Sequence, residues 1–256
     1  MRSYPVLLHG FTGSSDSWGE RIVDGLAGAG FLPAFVDLPG HGREIGCTDP
    51  SRISFDSALE FVTEAGDWPT DLVGYSMGAR VALHFAAAHP DRISRLVLES
   101  GSPGLPTALE RTERMASDEA IAARIVDDGI EAFVAFWEAQ PVFETRGGLS
   151  PAVTAQQRAL RARNDPHSLA ASLMALGTGS LPSLWEALPA IATPTLLVVG
   201  ALDRKFVDIA ERMAERMPHA RVVVVPHAGH TVHLERPGAW LEAVTGFLST
   251  EARFLE

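Results

Sequence analysis

Six short apolar runs recur along the chain with helical patterns between them, and this alternation limits the fold more than any other feature. The runs are PVLLHG (5–10), PAFVDL (33–38), TDLVGY (70–75), RLVLES (95–100), TPTLLVVG (193–200) and ARVVVVP (220–226). Each is near-continuously apolar, which suits a strand buried on both faces of a parallel sheet. The helical patterns cover Ser17–Ala29, Asp56–Ala65, Ala79–His89, Val207–Met217 and Ala239–Leu248. Strand then helix, repeated, defines an α/β protein whose mostly parallel sheet is flanked by helices.

The alternation stops between about Ser102 and Trp185. Here the pattern is helical throughout, over Leu109–Asp128, Ile130–Gln140, Pro151–Arg163 and Ser168–Leu176. The expected organisation is a core in two parts, 1–101 and 186–256, with a helical lid, 102–185, inserted before the late strands. Such an insertion sits over the C-terminal edge of the sheet, where open α/β folds bind their ligands.

Gly74-Tyr75-Ser76-Met77-Gly78 lies between a strand and a helix, the setting that the G-x-S-x-G turn demands. The two glycines let the backbone turn sharply, and the serine oxygen is left exposed at the start of a helix whose dipole favours negative charge. A serine hydroxyl is a poor nucleophile or base alone. It needs an imidazole, itself oriented by a carboxylate. In this topology the acid and then the histidine follow late strands. Asp203 stands directly after TPTLLVVG, and His230, in PHAGHTVHLERP, directly after ARVVVVP. Asp208, His219, His227 and His233 are the rivals, and none has the same placement. The first strand runs into His9-Gly10-Phe11-Thr12-Gly13, so the backbone N–H groups of Phe11 and Met77 form a candidate oxyanion hole. The glycines of DLPGHG (37–42) read as structural, with His41 a minor candidate for touching substrate.

The net charge of −11 argues against nucleic acid or an anionic membrane as partner. It leaves room for an anionic small substrate, because a few arginines inside a pocket outweigh a distant acidic surface. A single cysteine, Cys47, permits no internal disulfide and suits a reducing compartment. No leader pattern and no membrane-spanning apolar run are found. The expectation is a cytoplasmic protein without a membrane anchor, an evident obligate protein partner, a metal cluster or a cofactor.

LLHGFTGSSDSW, DLPGHG, GYSMG, the Asp203 loop and AGH together resemble the α/β-hydrolase superfamily over the whole chain. A narrower likeness runs through GYSMGAR, LVLESGSPGL, EAFVAFWEAQPVF, LAASLMALGTGSLPSLW and DRKF. These are similar to the 2-succinyl-6-hydroxy-2,4-cyclohexadiene-1-carboxylate synthases of menaquinone biosynthesis, the MenH family. That resemblance implies a cofactor-free carbon–oxygen lyase that eliminates pyruvate from a small polycarboxylate. It also implies substrate-binding roles for Tyr75, Arg80, Arg114, Trp137 and Arg161, with Arg158 and Arg163 beside Arg161 left open. Arginine grips carboxylates bidentately and keeps its charge when partly buried, which fits a polyanion. Arg80 lies one helical turn past Ser76; Arg111, Arg124 and Arg146 read as solvated or paired. The same Ser-His-Asp set would serve a carboxylesterase or C–C hydrolase working through an acyl-enzyme. With all three residues present, a catalytically dead binding scaffold is the least supported reading.

Overall fold

The computed structural model describes residues 4–47, 49 and 51–250, with residues 146 and 147 described in their backbone only. Six strands, β1 (Val6–Leu8), β2 (Ala34–Val36), β3 (Thr70–Tyr75), β4 (Ile93–Glu99), β5 (Thr195–Gly200) and β6 (Ala220–Val225), form one sheet in the order β2-β1-β3-β4-β5-β6. Every pairing is parallel, with Leu8 beside both Val36 and Gly74. Because β1 lies between β2 and β3, chain progression reverses there. The crevice at a reversal, outside the C-terminal ends of the strands, is where open α/β sheets bind ligands.

Alternate side chains of each strand feed two cores. Val6, Leu8, Leu72 and Leu98 point to the side packed by α2 (Phe55–Glu64), α3 (Met77–Ala88) and α7 (Arg204–Ala214). Leu7, Val73, Val97 and Val198 point to the other side, against α1 (Glu20–Gly28) and α9 (Pro237–Leu248). All eight are essentially inaccessible, and each is worth roughly 1.5–3 kcal/mol in burial. The two outer strands depart from the expectation of burial on both faces. Ala34, Phe35 and several β6 residues are partly accessible, and Val224 is exposed. An edge strand has a neighbour on one side only, and a β-branched run is compatible with that position.

Between β4 and β5 the chain builds α4 (Ala108–Glu138), α5 (Pro151–Arg161) and α6 (Pro166–Leu176). Capping side chains set the starts. Thr107 and Glu110 bond reciprocally across the first turn of α4. Ser150 and Asp165 cap α5 and α6, each followed by proline at the first helical position. The α4 helix breaks at Gly129 (φ 75°, ψ 168°), the residue that separates the two helical patterns in the sequence. Beyond that break Phe133 joins Leu169 and Leu173 in a third small core. Phe11 touches it from the β1 loop, with ring centroids 6.5 Å from Phe133 and 5.2 Å from Trp137. The insertion is thereby tied to the C-terminal edge of the sheet. The short helix α8 (Val232–Glu235) precedes α9.

Candidate active site

Ser76 occupies the turn between β3 and α3 with φ 52° and ψ −105°, a left-handed conformation costly for a residue with a side chain. The surroundings over-determine it. The Ser76 N–H donates to the Glu99 carbonyl at 2.9 Å. A Cβ at Gly78 would stand 2.3 Å from the Leu8 carbonyl oxygen, and one at Gly74 2.5 Å from that of Gly78. Only bare backbone lets β1, β3 and α3 approach this closely.

The late strands bring the other two groups to the serine. Asp203 caps α7 just past β5 and accepts a bond from His230 Nδ1 at 2.7 Å. His230 Nε2 is 3.0 Å from Ser76 Oγ. With the proton on Nδ1 held by the carboxylate, Nε2 is free to accept from the hydroxyl. Of the rivals, Asp208 faces solvent on α7, while His219 and His227 are exposed. His233 is buried and engaged elsewhere, its Nδ1 2.9 Å from both oxygens of a fully buried Glu99.

The β1 loop is held from beneath by neutral histidines. Leu38 N donates to His9 Nε2, and Thr12 N to His41 Nε2. Burial lowers both imidazoles, His41 to about 3, so both act as acceptors there. His41 is thus a buried support for Thr12 and makes no contact with the cavity. Burial alone would raise the Asp37 carboxyl. Bonds from the N–H groups of Ser15 and Arg43 outweigh that and hold it below the usual range. The loop places Phe11 against the cavity, and among the described residues neither the Phe11 nor the Met77 N–H has a protein acceptor. Both are available to a developing oxyanion.

A narrow cavity of about 50 Å³ reaches Ser76 and is walled by Phe11, Tyr75, Trp137, Arg161 and Thr231. It shares Phe143, Gln157, Arg161 and Leu234 with a wider outer chamber of about 250 Å³. A larger concavity, about 1050 Å³, is an open trough beside α1 and α5 that holds none of Ser76, Asp203 and His230. Size does not locate the chemistry here; the hydrogen-bonded trio does. Among the described residues no three His, Cys, Asp or Glu side chains are placed to hold a metal ion. No described helix is long and apolar enough to cross a membrane.

The sequence-derived arginines divide into two groups. Arg161 is 9% exposed at its side chain and lines the cavity, whereas Arg158 and Arg163 are 52% and 70% exposed. That separates the three neighbours that spacing alone left equivalent. Arg80 and Arg114 do not line the Ser76 cavity. Arg80 is buried under the insertion, donating to the Leu176 carbonyl while its Nε has no partner among the described residues. Burial, then the neighbouring Arg114, lower it to about 10 against the pull of Asp118. Arg114 pairs with Asp118 at 2.7 Å. Trp137 walls the cavity with its buried indole N–H unpartnered among the described residues, and the Tyr75 hydroxyl meets Thr231 Oγ1 at 2.9 Å. Arg111 donates to the Leu105 carbonyl and Arg124 pairs with Asp128; the Arg146 side chain lies outside the described residues.

Two residues that the sequence pattern did not single out hold the His230 loop. Ser100, at φ 48°, donates through Oγ to the His230 carbonyl at 2.8 Å, and Glu235 accepts from the same loop. An acidic residue five positions past the histidine, at the end of α8, was the available signal.

The parallel sheet with its order reversal, the strained serine after β3 and the acid and histidine after β5 and β6 define an α/β hydrolase. The family model for the alpha/beta hydrolase fold matches residues 6–237, and the chain is an enzyme of that superfamily. A Klebsiella pneumoniae (strain ATCC 700721 / MGH 78578) protein named 2-succinyl-6-hydroxy-2,4-cyclohexadiene-1-carboxylate synthase is 33% identical over 96% of this chain and 95% of its own. A Bacillus subtilis (strain 168) protein provisionally named as that synthase is 41% identical over 96% of this chain and 90% of its own. The solved structure of MenH from S. aureus superposes with a TM-score of 0.90 at 35% identity, covering 96% of this chain and 93% of that one. The chain belongs to this synthase family, MenH.

Proposed function

We propose that this protein eliminates pyruvate from 2-succinyl-5-enolpyruvyl-6-hydroxy-3-cyclohexene-1-carboxylate to give 2-succinyl-6-hydroxy-2,4-cyclohexadiene-1-carboxylate, with Ser76 as the base. The carrying observation is the Asp203–His230–Ser76 relay, at 2.7 and 3.0 Å, opening on a cavity walled by Arg161 and Trp137. Ser76 passes its proton to His230 and takes a ring C–H proton. The electron pair freed at C2 becomes the C2=C3 double bond, the C3=C4 double bond moves to C4=C5, and the C5–O bond to the enolpyruvyl group breaks. Pyruvate leaves as its enolate, which takes the proton from the His230 imidazolium. The N–H groups of Phe11 and Met77 receive the charge that develops on the ketone oxygen of the succinyl group. One such donor is typically worth about 2.7–4 kcal/mol in the transition state. Arg161, Tyr75 and Trp137 orient the substrate, and the buried Arg80–Arg114 cluster supplies positive potential beneath the insertion.

The test offers purified protein the enolpyruvyl intermediate and follows pyruvate, in parallel with simple aryl esters. Rapid pyruvate release without a stoichiometric burst on esters is expected. Efficient ester cleavage with an acyl-Ser76 burst and no pyruvate would overturn the reading in favour of a hydrolase.

A further inference from the structure

The imidazole of the relay sits on a loop whose two flanking amides share one carboxylate. Glu235 Oε2 accepts from Gly229 N at 2.8 Å, and Glu235 Oε1 accepts from Thr231 N at 3.2 Å. These are the residues immediately before and after His230, and the carboxylate is 8% exposed. The carbonyl of His230 itself is taken by Ser100 Oγ. Three bonds from side chains therefore fix the peptide units around one imidazole. The anchor is itself anchored: Glu99 on β4 accepts from His233 N and Nδ1 in the same short helix as Glu235, and its carbonyl receives the Ser76 N–H. Thr231, held by Glu235, also meets the Tyr75 hydroxyl on the cavity wall.

We infer that Glu235 is a positioning residue for the relay imidazole, setting the height and tilt of His230 between Asp203 and Ser76 and, through Thr231, the place of Tyr75. The physical argument is one of alternatives. Gly229 and Thr231 lie in a buried loop, so their N–H groups need acceptors, and only a charged acceptor spanning both sides of His230 satisfies the two at once. Without it, burial penalises the loop unless it shifts, and a shift of about 1 Å in a relay with 2.7 and 3.0 Å contacts breaks the proton path. Glutamine at 235 can satisfy one amide through its carbonyl but presents an NH₂ to the other. Aspartate is a methylene too short to span both.

The inference rests on His230 being the group that takes the Ser76 proton, and the phosphonylation arm of its test does not depend on the identity of the substrate. Phosphonylation of Ser76 by a small fluorophosphonate reads the serine–histidine pair alone. Glu235→Gln is expected to slow phosphonylation and kcat together by about 10–100-fold, with KM within about twofold. The downfield proton resonance of the His230–Asp203 bond should broaden or vanish. A folded Glu235→Gln protein with parental phosphonylation, kcat and resonance would overturn the inference. If that variant does not fold, Glu235→Asp and Ser100→Ala take its place, with an expected partial loss in kcat and none in KM. Parental serine reactivity in both overturns it equally. Absence of pyruvate release by the parent, with rapid phosphonylation that Glu235→Gln slows, would refute the lyase reading and leave this one standing.

Discussion

The C-terminal edge of the sheet and the helical insertion above it differ in how their polar groups are satisfied. At the sheet edge every group that sets the relay has a partner: Ser76 N on Glu99, His230 on Asp203 and Ser100, and the flanking amides on Glu235. Of the buried side-chain polar atoms without a partner among the described residues, Arg80 Nε, Asp118 Oδ2, Trp137 Nε1 and Thr145 Oγ1 lie in or beneath the insertion, and Trp18 Nε1 and Trp240 Nε1 lie in the core against the sheet. An unsatisfied buried polar group costs about 1–3 kcal/mol, so those at the insertion persist where function repays them. The difference teaches that the proton-moving half is finished by folding, while the recognition half keeps polar capacity for a polar ligand.

The comparison breaks most sharply at the serine. Ser76→Ala should cut kcat by about 10³-fold or more and leave the melting temperature near that of the parent, as measured by steady-state pyruvate release and circular dichroism. A large activity loss from a folded protein separates chemistry from architecture. Gly78→Ala should do the reverse. Its methyl would meet the Leu8 and His9 carbonyl oxygens, so a loss of stability of about 1–3 kcal/mol is expected, read by urea unfolding.

On the recognition side the effect should fall on KM. Arg161→Ala is expected to raise KM about 10–100-fold with a smaller change in kcat. Trp137→Phe, which removes only the indole donor, should raise it about 3–10-fold. If either variant lowered kcat alone, the division between the two halves would be wrong.

The smallest effect concerns pH. Burial, then Arg80, lower His84 to about 4, against about 6.5 in the unfolded chain. Below pH 6.5 the unfolded chain binds the proton first, so stability falls as pH drops from 6.5 towards 4. The slope is about 1.4 kcal/mol per pH unit for this group. His84→Leu should flatten that fall by one proton's worth, measured as denaturation midpoints between pH 7.5 and 5. An unchanged slope would place the titration elsewhere, with His41 the next candidate.

Much of this arrangement was legible in the residues because its causes are local. An apolar run of six residues, a glycine pair around a serine and a gap between two helical patterns act within a few positions. They led to the strands, to Ser76 and to the break at Gly129. Asp203 and His230 followed from their places after late strands. What escaped depends on neighbours remote in sequence. No pattern in ARVVVV distinguishes an edge strand from a central one. The segment Ser17–Ala29 was read as one helix, whereas Gly19 at φ 74° divides a 3₁₀ turn from α1. Helical spacing put Arg80 at the mouth of the nucleophile. Its side chain instead donates to the Leu176 carbonyl at the end of α6. Ser100 and Glu235 act through backbone groups of another segment, which leaves no periodic trace.

Gly129 carries a consequence for handedness. Its φ of 75° and ψ of 168° mirror an extended conformation that any L-residue adopts, and a Cβ built there meets nothing within 4 Å. An L side chain therefore meets no neighbour here and is disfavoured by the backbone conformation alone. A D-alanine introduced by chemical ligation should be accepted, even stabilising through a stiffer unfolded chain. L-alanine would force the two arms of α4 out of their present angle. At this one position, what separates Phe133 and Trp137 in place from Phe133 and Trp137 displaced is the hand of a single carbon.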